Sequence, residues 1–180
     1  MQCPRALDEK ARIEEKMIKE NIQKAINKQI NKEFYSAYLY LSMAEYFESR
    51  NLKGMAKWLF VQYREEISHA EKFINHINER SGNVELSHIE KPTALWNSAL
   101  EAFEDAYKHE VFISESINKI AQLARTENDF ATEDFLSWFV KEQVEEEEQT
   151  LDIVLKLKLI GEAGHALYML DKELGQRGAS

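Results

Sequence analysis

The residues of this sequence that could bind metal are glutamates and a histidine placed where a helical protein normally buries leucine. They lie on, or one step beside, the apolar stripes of four separate helical segments. Burying carboxylates without partners is very costly. Four helices that point carboxylates at one another therefore imply a cation between them, and we infer more than one metal ion. The residues concerned are Glu33, Glu65, Glu66, His69, Glu110, Glu142, Glu145 and Glu146.

Glu66 and His69 are spaced so that a carboxylate and an imidazole share one helix face, one turn apart. Glu33, Glu110 and Glu146 each add one carboxylate from another helix. A carboxylate-rich set with a single imidazole favours iron or manganese over a structural zinc site. If Glu66 bridges, one ion takes Glu33, Glu66 and His69, and the other takes Glu66, Glu110 and Glu146. Ions bridged in this way lie about 3.5–4 Å apart, close enough for a ferrous pair to deliver two electrons to dioxygen together.

Glu65, Glu142 and Glu145 form a neighbouring acidic group, which we interpret as a candidate third or transit site. The run from Glu145 to Glu148 also fits a solvated helix face, and a single Glu-x-x-His pair is common on helix surfaces. The argument for metal therefore depends on four helices contributing carboxylates at one height, not on any one motif.

Three further side chains accompany the candidate ligands. Tyr40 lies on the same stripe as Glu33, and we predict that its hydroxyl hydrogen-bonds a ligand carboxylate; electron donation is a second candidate role. Gln143 is predicted to be a polar lid on the site rather than a primary ligand. Trp138 is predicted to pack in the core.

Four long helices must position these residues, and their apolar stripes have the spacing of helices that pack side by side. Ser98 and Glu101 form a candidate capping box, and Gly82 and Gly161 are predicted to end helices. The predicted long helices span residues 16–50, 53–80, 98 to the turn at 127–129, and 129–160, and a short fifth helix spans 162–173.

The turns predict which carboxylates meet. The sequence midpoint of Glu33 and Glu66 falls between residues 49 and 50, beside a turn signal at 50–54. The midpoint of Glu110 and Glu146 is residue 128, inside the turn signal at 127–129. Each pair is therefore nearly equidistant from its bend and must lie at one height on antiparallel neighbours.

Residues 82–97 have no helical period and are too many for an ordinary bundle link of about 2–8 residues. Extended at about 3.3 Å per residue, they reach roughly 50 Å. A helix as long as the second segment is only roughly 40 Å long at about 1.5 Å per residue. The segment can therefore cross the whole bundle and restart the third helix at the opposite end.

The composition of the chain limits the classes of function that it could have. The chain has 180 residues, of which 44% are hydrophobic and 31% charged, and this suits one helical domain. Its net charge of −9 argues against a surface that binds nucleic acid and is consistent with binding of cations. The single cysteine, Cys3, excludes an intrachain disulfide and a thiolate cage, which favours the cytoplasm. No stretch approaches the roughly 18 apolar residues of a membrane span.

The sequence resembles the non-haem prokaryotic ferritins over about residues 17–177. The resemblance implies an all-α, ferritin-like four-helix bundle with one long crossover and a short fifth C-terminal helix. Residues 1–16 then form an N-terminal extension before the bundle at 17–180, read either as a segment on the outer shell or as an upstream start. The matching stretches are residues 31–40, 65–69, 107–110, 135–147 and 170–174.

The resemblance also implies an activity and an assembly. It implies a hollow 24-subunit homo-oligomer that oxidises Fe(II), with dioxygen or hydrogen peroxide, and stores a ferric mineral. By the family pattern the first iron is held by Glu33, Glu66 and His69, and the second by Glu66, Glu110 and Glu146. A third iron site takes Glu65, Glu142, Glu145 and Glu146.

Related families fit less well. Bacterioferritins and rubrerythrin-like proteins carry a second Glu-x-x-His on the last bundle helix, where this chain has Gln143-x-x-Glu146. Ile67 stands where bacterioferritins supply a methionine ligand to haem, so no haem is expected. Two alternatives stay open: a di-iron oxidase or peroxidase without mineral storage, and a structural bundle whose acidic stripe binds only protons or passive cations.

Overall fold

The structure, a computed structural model, describes residues 17–161 and 163–177; the predicted N-terminal extension and Cys3 lie outside them. Within these ranges the chain forms five α-helices and no strand, and no helix is long and apolar enough to cross a membrane. The helices are α1 (Glu20–Ser49), α2 (Lys53–Glu79), α3 (Ala99–Thr126), α4 (Phe130–Ile160) and α5 (Gly164–Leu174).

The two predicted hairpins are present, α1 with α2 and α3 with α4. Asn51 and Asn128 take left-handed conformations at the bends, with φ of 59° and 54°. Asp129 caps α4 by accepting the Thr132 N–H at 3.1 Å, and its carboxylate pairs with Arg80 at 2.8 Å. Asp129 thus satisfies the start of α4 and ties the second hairpin to the C-terminal end of α2 in the first.

The other helix ends largely follow the sequence. Ser98 caps α3 by accepting the Glu101 N–H at 3.1 Å, while Glu101 reaches back to the N–H of Asn97 at 2.6 Å. Gly161 ends α4 with a φ of 58°. The left-handed residue that ends α2 is Ser81, one position before the predicted Gly82.

The segment between α2 and α3 runs the length of α1, as its length predicted. Side chains along α1 donate hydrogen bonds to backbone carbonyls of this crossover. The carbonyl groups of the loop therefore have partners although the loop has no regular secondary structure. The crossover therefore ends beside the C-terminal end of α1, where α3 begins. In order along α1 and its C-terminal cap residue Arg50, the contacts are Asn27 with Asn83, Asn31 with His88, Ser42 with Thr93, and Arg50 with Trp96.

The core is divided into two hydrophobic clusters by a polar layer. One cluster is built around Phe47 and Phe103, near the hairpin bend of α1 and α2. The other is built around Ile26 and Phe73, toward the opposite end. The candidate ligands belong to neither cluster and lie between them, so the polar layer is enclosed by apolar packing at both ends.

The short helix α5 packs on the start of α2. Asp171 accepts the N–H of Met55 through its carboxylate at 2.9 Å. Gly54 makes this approach possible, because a Cβ built there would lie 1.6 Å from the Asp171 carbonyl oxygen. Only glycine leaves room for the backbone of α5 at this position.

Candidate metal centre

The five predicted ligands of the paired metal positions are buried in the polar layer. Glu33, Glu66, His69, Glu110 and Glu146 expose between 0 and 3% of their surface. Burying several ionisable groups together costs free energy, because carboxylates removed from water are stable only when they are protonated or bound to a cation. The layer therefore has the chemistry of a cation site rather than of a packing defect.

The first predicted ligand set is gathered into one group. Glu33, Glu66 and His69 each present a ligand atom, and these atoms all lie within 4.8 Å of one another. His69 Nδ1 lies 3.5 Å from Glu66 Oε2. Glu33 Oε2 and Glu66 Oε2 are buried and accept no hydrogen bond. Two buried acceptor atoms facing an imidazole fit a metal ion, which would replace the missing donors.

A chain of donors holds the other oxygen of Glu33. Gln29 Nε2 donates to Glu33 Oε1 at 2.7 Å, and Ser116 Oγ donates to Gln29 Oε1 at 2.5 Å. Lys32 Nζ in turn donates to Ser116 Oγ at 2.5 Å. Every bond in the chain points toward Glu33, so the carboxylate is fixed in one orientation and its Oε2 atom is left facing Glu66.

Glu110, by contrast, has donors at both oxygens. Tyr40 donates its hydroxyl proton to Glu110 Oε1, the oxygen of a carboxylate that the sequence predicts as a ligand. Gln143 Nε2 donates to Glu110 Oε2 at 3.1 Å and to Ser114 Oγ at 3.3 Å. Gln143 is 4% exposed and contacts the carboxylate directly, so it orients Glu110 across the α3–α4 hairpin.

Glu146 is held from α2. Gln62 Nε2 donates to Glu146 Oε2 at 2.6 Å, while Gln62 Oε1 is buried without a partner. Glu110 and Glu146 do not join Glu33, Glu66 and His69 in one tight group. Within the described ranges no other set of three acidic, histidine or cysteine side chains brings its ligand atoms as close together. The two predicted metal positions are therefore unequal in this structure.

Burial raises the pKa of all four glutamates of the layer. The rise is large for Glu33, where Glu66 adds to it, and for Glu66, where Glu110 adds to it. Burial raises the pKa of Glu110 to about 7 although Tyr40 and Gln143 oppose the change. Burial together with the charge of Glu110 raises the pKa of Glu146 to about 7. These carboxylates hold protons near neutral pH unless a cation replaces them.

The predicted third group is more exposed. Glu145 is exposed and Glu142 partly exposed. Glu65 is partly exposed, and its Oε2 atom lies 2.6 Å from Arg177 Nη2, a residue of the C-terminal tail. The structure thus pairs one member of the third group with an arginine.

Trp138 differs from its prediction as a core residue. Its side chain is 39% exposed. Its ring centroid lies 5.6 Å from that of His69, and Nζ of Lys72, a residue of α2, lies 3.8 Å from the indole ring centroid. The indole therefore covers the imidazole from the outside of the bundle instead of filling the interior.

Comparison with known proteins identifies the family. A family model described as a ferritin-like domain matches residues 23–160. The chain belongs to the ferritin family. This confirms the resemblance inferred from the sequence, and the five helices of the structure confirm the fold class.

Relatives of this ferritin match most of its length. A bacterial non-heme ferritin from Campylobacter jejuni is 43% identical over 156 residues, covering 87% of this chain and 93% of the relative. One from Bacteroides fragilis is 42% identical over 161 residues, covering 89% and 100%. An open-pore ferritin structure from Archaeoglobus fulgidus is 52% identical with a TM-score of 0.88, covering 89% and 99%.

Sequence reasoning missed three residues of this ferritin's site. Gln29 lies off the apolar stripe of α1, and the signal for it is its position one turn before Glu33. Gln62 lies one turn before Glu66 on α2, but this position does not show that it bonds Glu146 on another helix. Arg177 lies beyond the last helix, and no local pattern places it beside Glu65.

Proposed function

We propose that this ferritin stores iron, oxidising Fe(II) at a di-iron centre within each subunit and retaining the ferric product in a 24-subunit cage. The observation that carries the iron-binding part of this proposal is the pair of buried oxygens on Glu33 and Glu66 that accept no hydrogen bond and face His69. A site for a hard cation such as calcium or magnesium would be built from oxygen ligands alone, whereas the imidazole of His69 favours a transition metal such as iron.

Ferrous iron enters this proposal as the substrate. Glu33 Oε2, Glu66 Oε2 and His69 bind the first ion, while Gln29 keeps the Glu33 carboxylate from rotating. Because Glu33 and Glu66 have raised pKa values, iron binding displaces protons from them. The first position is ready to bind, since its free oxygens already face one another.

The second ion takes Glu110 and Glu146, with Glu66 shared between the two. Glu110 already accepts bonds from Tyr40 and Gln143, but each carboxylate oxygen has a further lone pair with which to bind a metal. The two donors hold Glu110 while it takes on this second role. We therefore infer that the second position binds more weakly than the first.

The paired site supplies electrons to an oxidant. Two ferrous ions give up one electron each, and dioxygen accepts both electrons with two protons to form hydrogen peroxide. Hydrogen peroxide could also serve as the oxidant, accepting two electrons and two protons to form water. Protons released from the glutamates on iron binding are available at the site for either reaction.

Assembly and retention of iron distinguish storage from simple oxidation. Purified protein is loaded aerobically with Fe(II), passed through a size-exclusion column, and assayed for iron in each fraction. We expect iron far in excess of the subunit number to elute with protein at the mass of a cage of 21.1 kDa subunits. Iron oxidation by a species of one or two subunits that retains no mineral would instead identify a di-iron oxidase or peroxidase.

A further inference from the structure

Arg177 reaches from the C-terminal tail to the predicted third metal position. Its Nη2 atom lies 2.6 Å from Glu65 Oε2, and its guanidinium carbon lies 4.4 Å from the ring centroid of Trp58. The side chain is 18% exposed, and its Nη1 atom is buried without a hydrogen-bond partner. An arginine stacked on an aromatic ring with a buried, unpartnered nitrogen is held in place rather than extended into solvent.

The fold explains why the tail brings an arginine to this point. Asp171 fixes α5 on the N-terminal end of α2 through Met55, and Gly54 permits the close approach. Lys57 then donates to the carbonyl of Gly175 at 2.9 Å, which fixes the chain after α5. These contacts are far from Glu65 in sequence, and together they direct the tail along α2 toward it.

The positive charge of Arg177 stabilises the ionised form of Glu65 and of a second carboxylate. Burial raises the pKa of Glu65, and the charge of Arg177 is the largest effect in the opposite direction. Arg177 acts in the same direction on Glu146, a proposed ligand of the second ion. Glu142 repels Glu65, whereas Lys72 attracts it. Arg177 is thus the positive charge bound directly at the acidic group next to the di-iron centre.

We propose that Arg177 is an internal cation that closes the third metal position by holding Glu65. The guanidinium keeps Glu65 from joining Glu142 and Glu145 around an ion, and a ferrous ion must displace it to occupy that position. Third-site binding is then weaker than binding at the paired positions, so iron would pass through the third position rather than remain there. This inference rests on the proposed function, because it assumes that the neighbouring positions bind ferrous iron.

The test counts ferrous ions bound under anaerobic conditions. Chelator-treated protein is equilibrated by dialysis with Fe(II) alone, for the wild type and for Arg177→Gln, Arg177→Lys and Lys57→Gln. The wild type is expected to bind two ions per subunit tightly. Arg177→Gln should bind a third at least about tenfold more tightly than the wild type does, with binding of the first ion unchanged. Arg177→Lys, which keeps the charge but loses the fork and stacking, should show a smaller gain.

The remaining variants separate a specific effect from a loosened tail. Lys57→Gln removes one contact that directs the tail but keeps Arg177, so its gain in third-ion affinity should be smaller than that of Arg177→Gln. An equal gain in the two variants would assign the effect to the position of the tail and overturn the inference. Adding Glu65→Gln to Arg177→Gln should remove the gain. If Arg177→Gln binds its third ion no more tightly than the wild type while both bind two ions, the inference is wrong and the proposed function stands. If the wild type binds no ferrous ion tightly, the proposed function itself fails.

Discussion

Glu33 of α1 and Glu66 of α2 face each other across the first hairpin, and each has one buried carboxylate oxygen that accepts no hydrogen bond. Without metal, their mutual repulsion in a dry interior is relieved by protons, and the pKa of Glu33 is raised by burial and then by Glu66. Ionisation of this pair therefore destabilises the folded state, and a bound cation would remove that destabilisation.

Stability without metal should fall as pH rises. Folding raises the pKa of the Glu146 carboxyl group from 4.5 to about 7, so between these values the folded state holds a proton that the unfolded chain has released. The loss of folding free energy from ionising this buried group is therefore absent below about pH 4.5 and complete above about pH 7. A shift of this size at Glu146 corresponds to a loss on the order of 3 kcal/mol. Thermal unfolding of chelator-treated protein at pH 5 and pH 8 measures the change.

The matched control for this pH effect is Glu146→Gln, which removes one titrating carboxylate. Other groups, such as the carboxylate of Asp129 with its lowered pKa, are common to both proteins. The variant should therefore lose less stability between pH 5 and pH 8 than the wild type. An equal loss in the two proteins would show that Glu146 does not titrate in this window.

Gln29→Leu should weaken binding of the first ion. The substitution removes the donor at Glu33 Oε1 and frees the carboxylate to rotate, as loss of a hydrogen-bond partner of a ligand typically costs about 10–100-fold in metal affinity. Anaerobic calorimetric titration with Fe(II) resolves the two binding steps. Gln62→Leu provides the contrast, since it should weaken the second step through Glu146. If both variants weakened the same binding step, the assignment of Glu33 to the first ion and Glu146 to the second would be wrong.

Tyr40→Phe should slow oxidation by about 10–100-fold while leaving the number of ions bound unchanged. The loss of its hydroxyl removes a donor from Glu110 and further raises the pKa of that carboxyl group, because this hydrogen bond lowers it. Stopped-flow absorbance after mixing with aerobic Fe(II) gives the rate. Tyr46→Phe is the control, since that ring packs on Phe47 and Trp96 away from the ligands. A Tyr40→Phe rate equal to that of Tyr46→Phe would remove Tyr40 from the mechanism.

Gly54→Ala should destabilise the subunit, because its Cβ would lie 1.6 Å from the Asp171 carbonyl oxygen and would push α5 away from α2. Gly164→Ala is the matched control, since a Cβ there meets nothing within 4 Å. It should be neutral or slightly stabilising, given that alanine is favoured over glycine in a helix by about 1 kcal/mol. Comparison of thermal unfolding midpoints distinguishes them; a similar midpoint for both variants would contradict the packing of α5.

Much of this architecture follows from local sequence patterns. Glu33 and Glu66 could be paired because each lies nearly the same distance from the bend at Asn51, and antiparallel helices place such residues at one height. The length of residues 82–97 predicted the crossover, since a segment that long can follow α1 from end to end.

The unpredicted contacts are those that depend on distant segments. Gln62 bonds a carboxylate on α4, and Arg177 bonds one on α2, at sequence separations of 84 and 112 residues. Periodicity assigns a residue to a face but not to a partner on another helix. The difference at Trp138 has the same cause, because the spacing of residues along α4 does not reveal that this ring lies outside His69.

The most direct test of the proposed di-iron centre is the number of ferrous ions oxidised in the fast phase after mixing with dioxygen. We expect two per subunit for the wild type, no fast phase for Glu66→Gln because that residue serves both positions, and a full fast phase for Glu148→Gln, an exposed glutamate on α4. A fast phase of unchanged size in Glu66→Gln, or none in the wild type, would contradict the account.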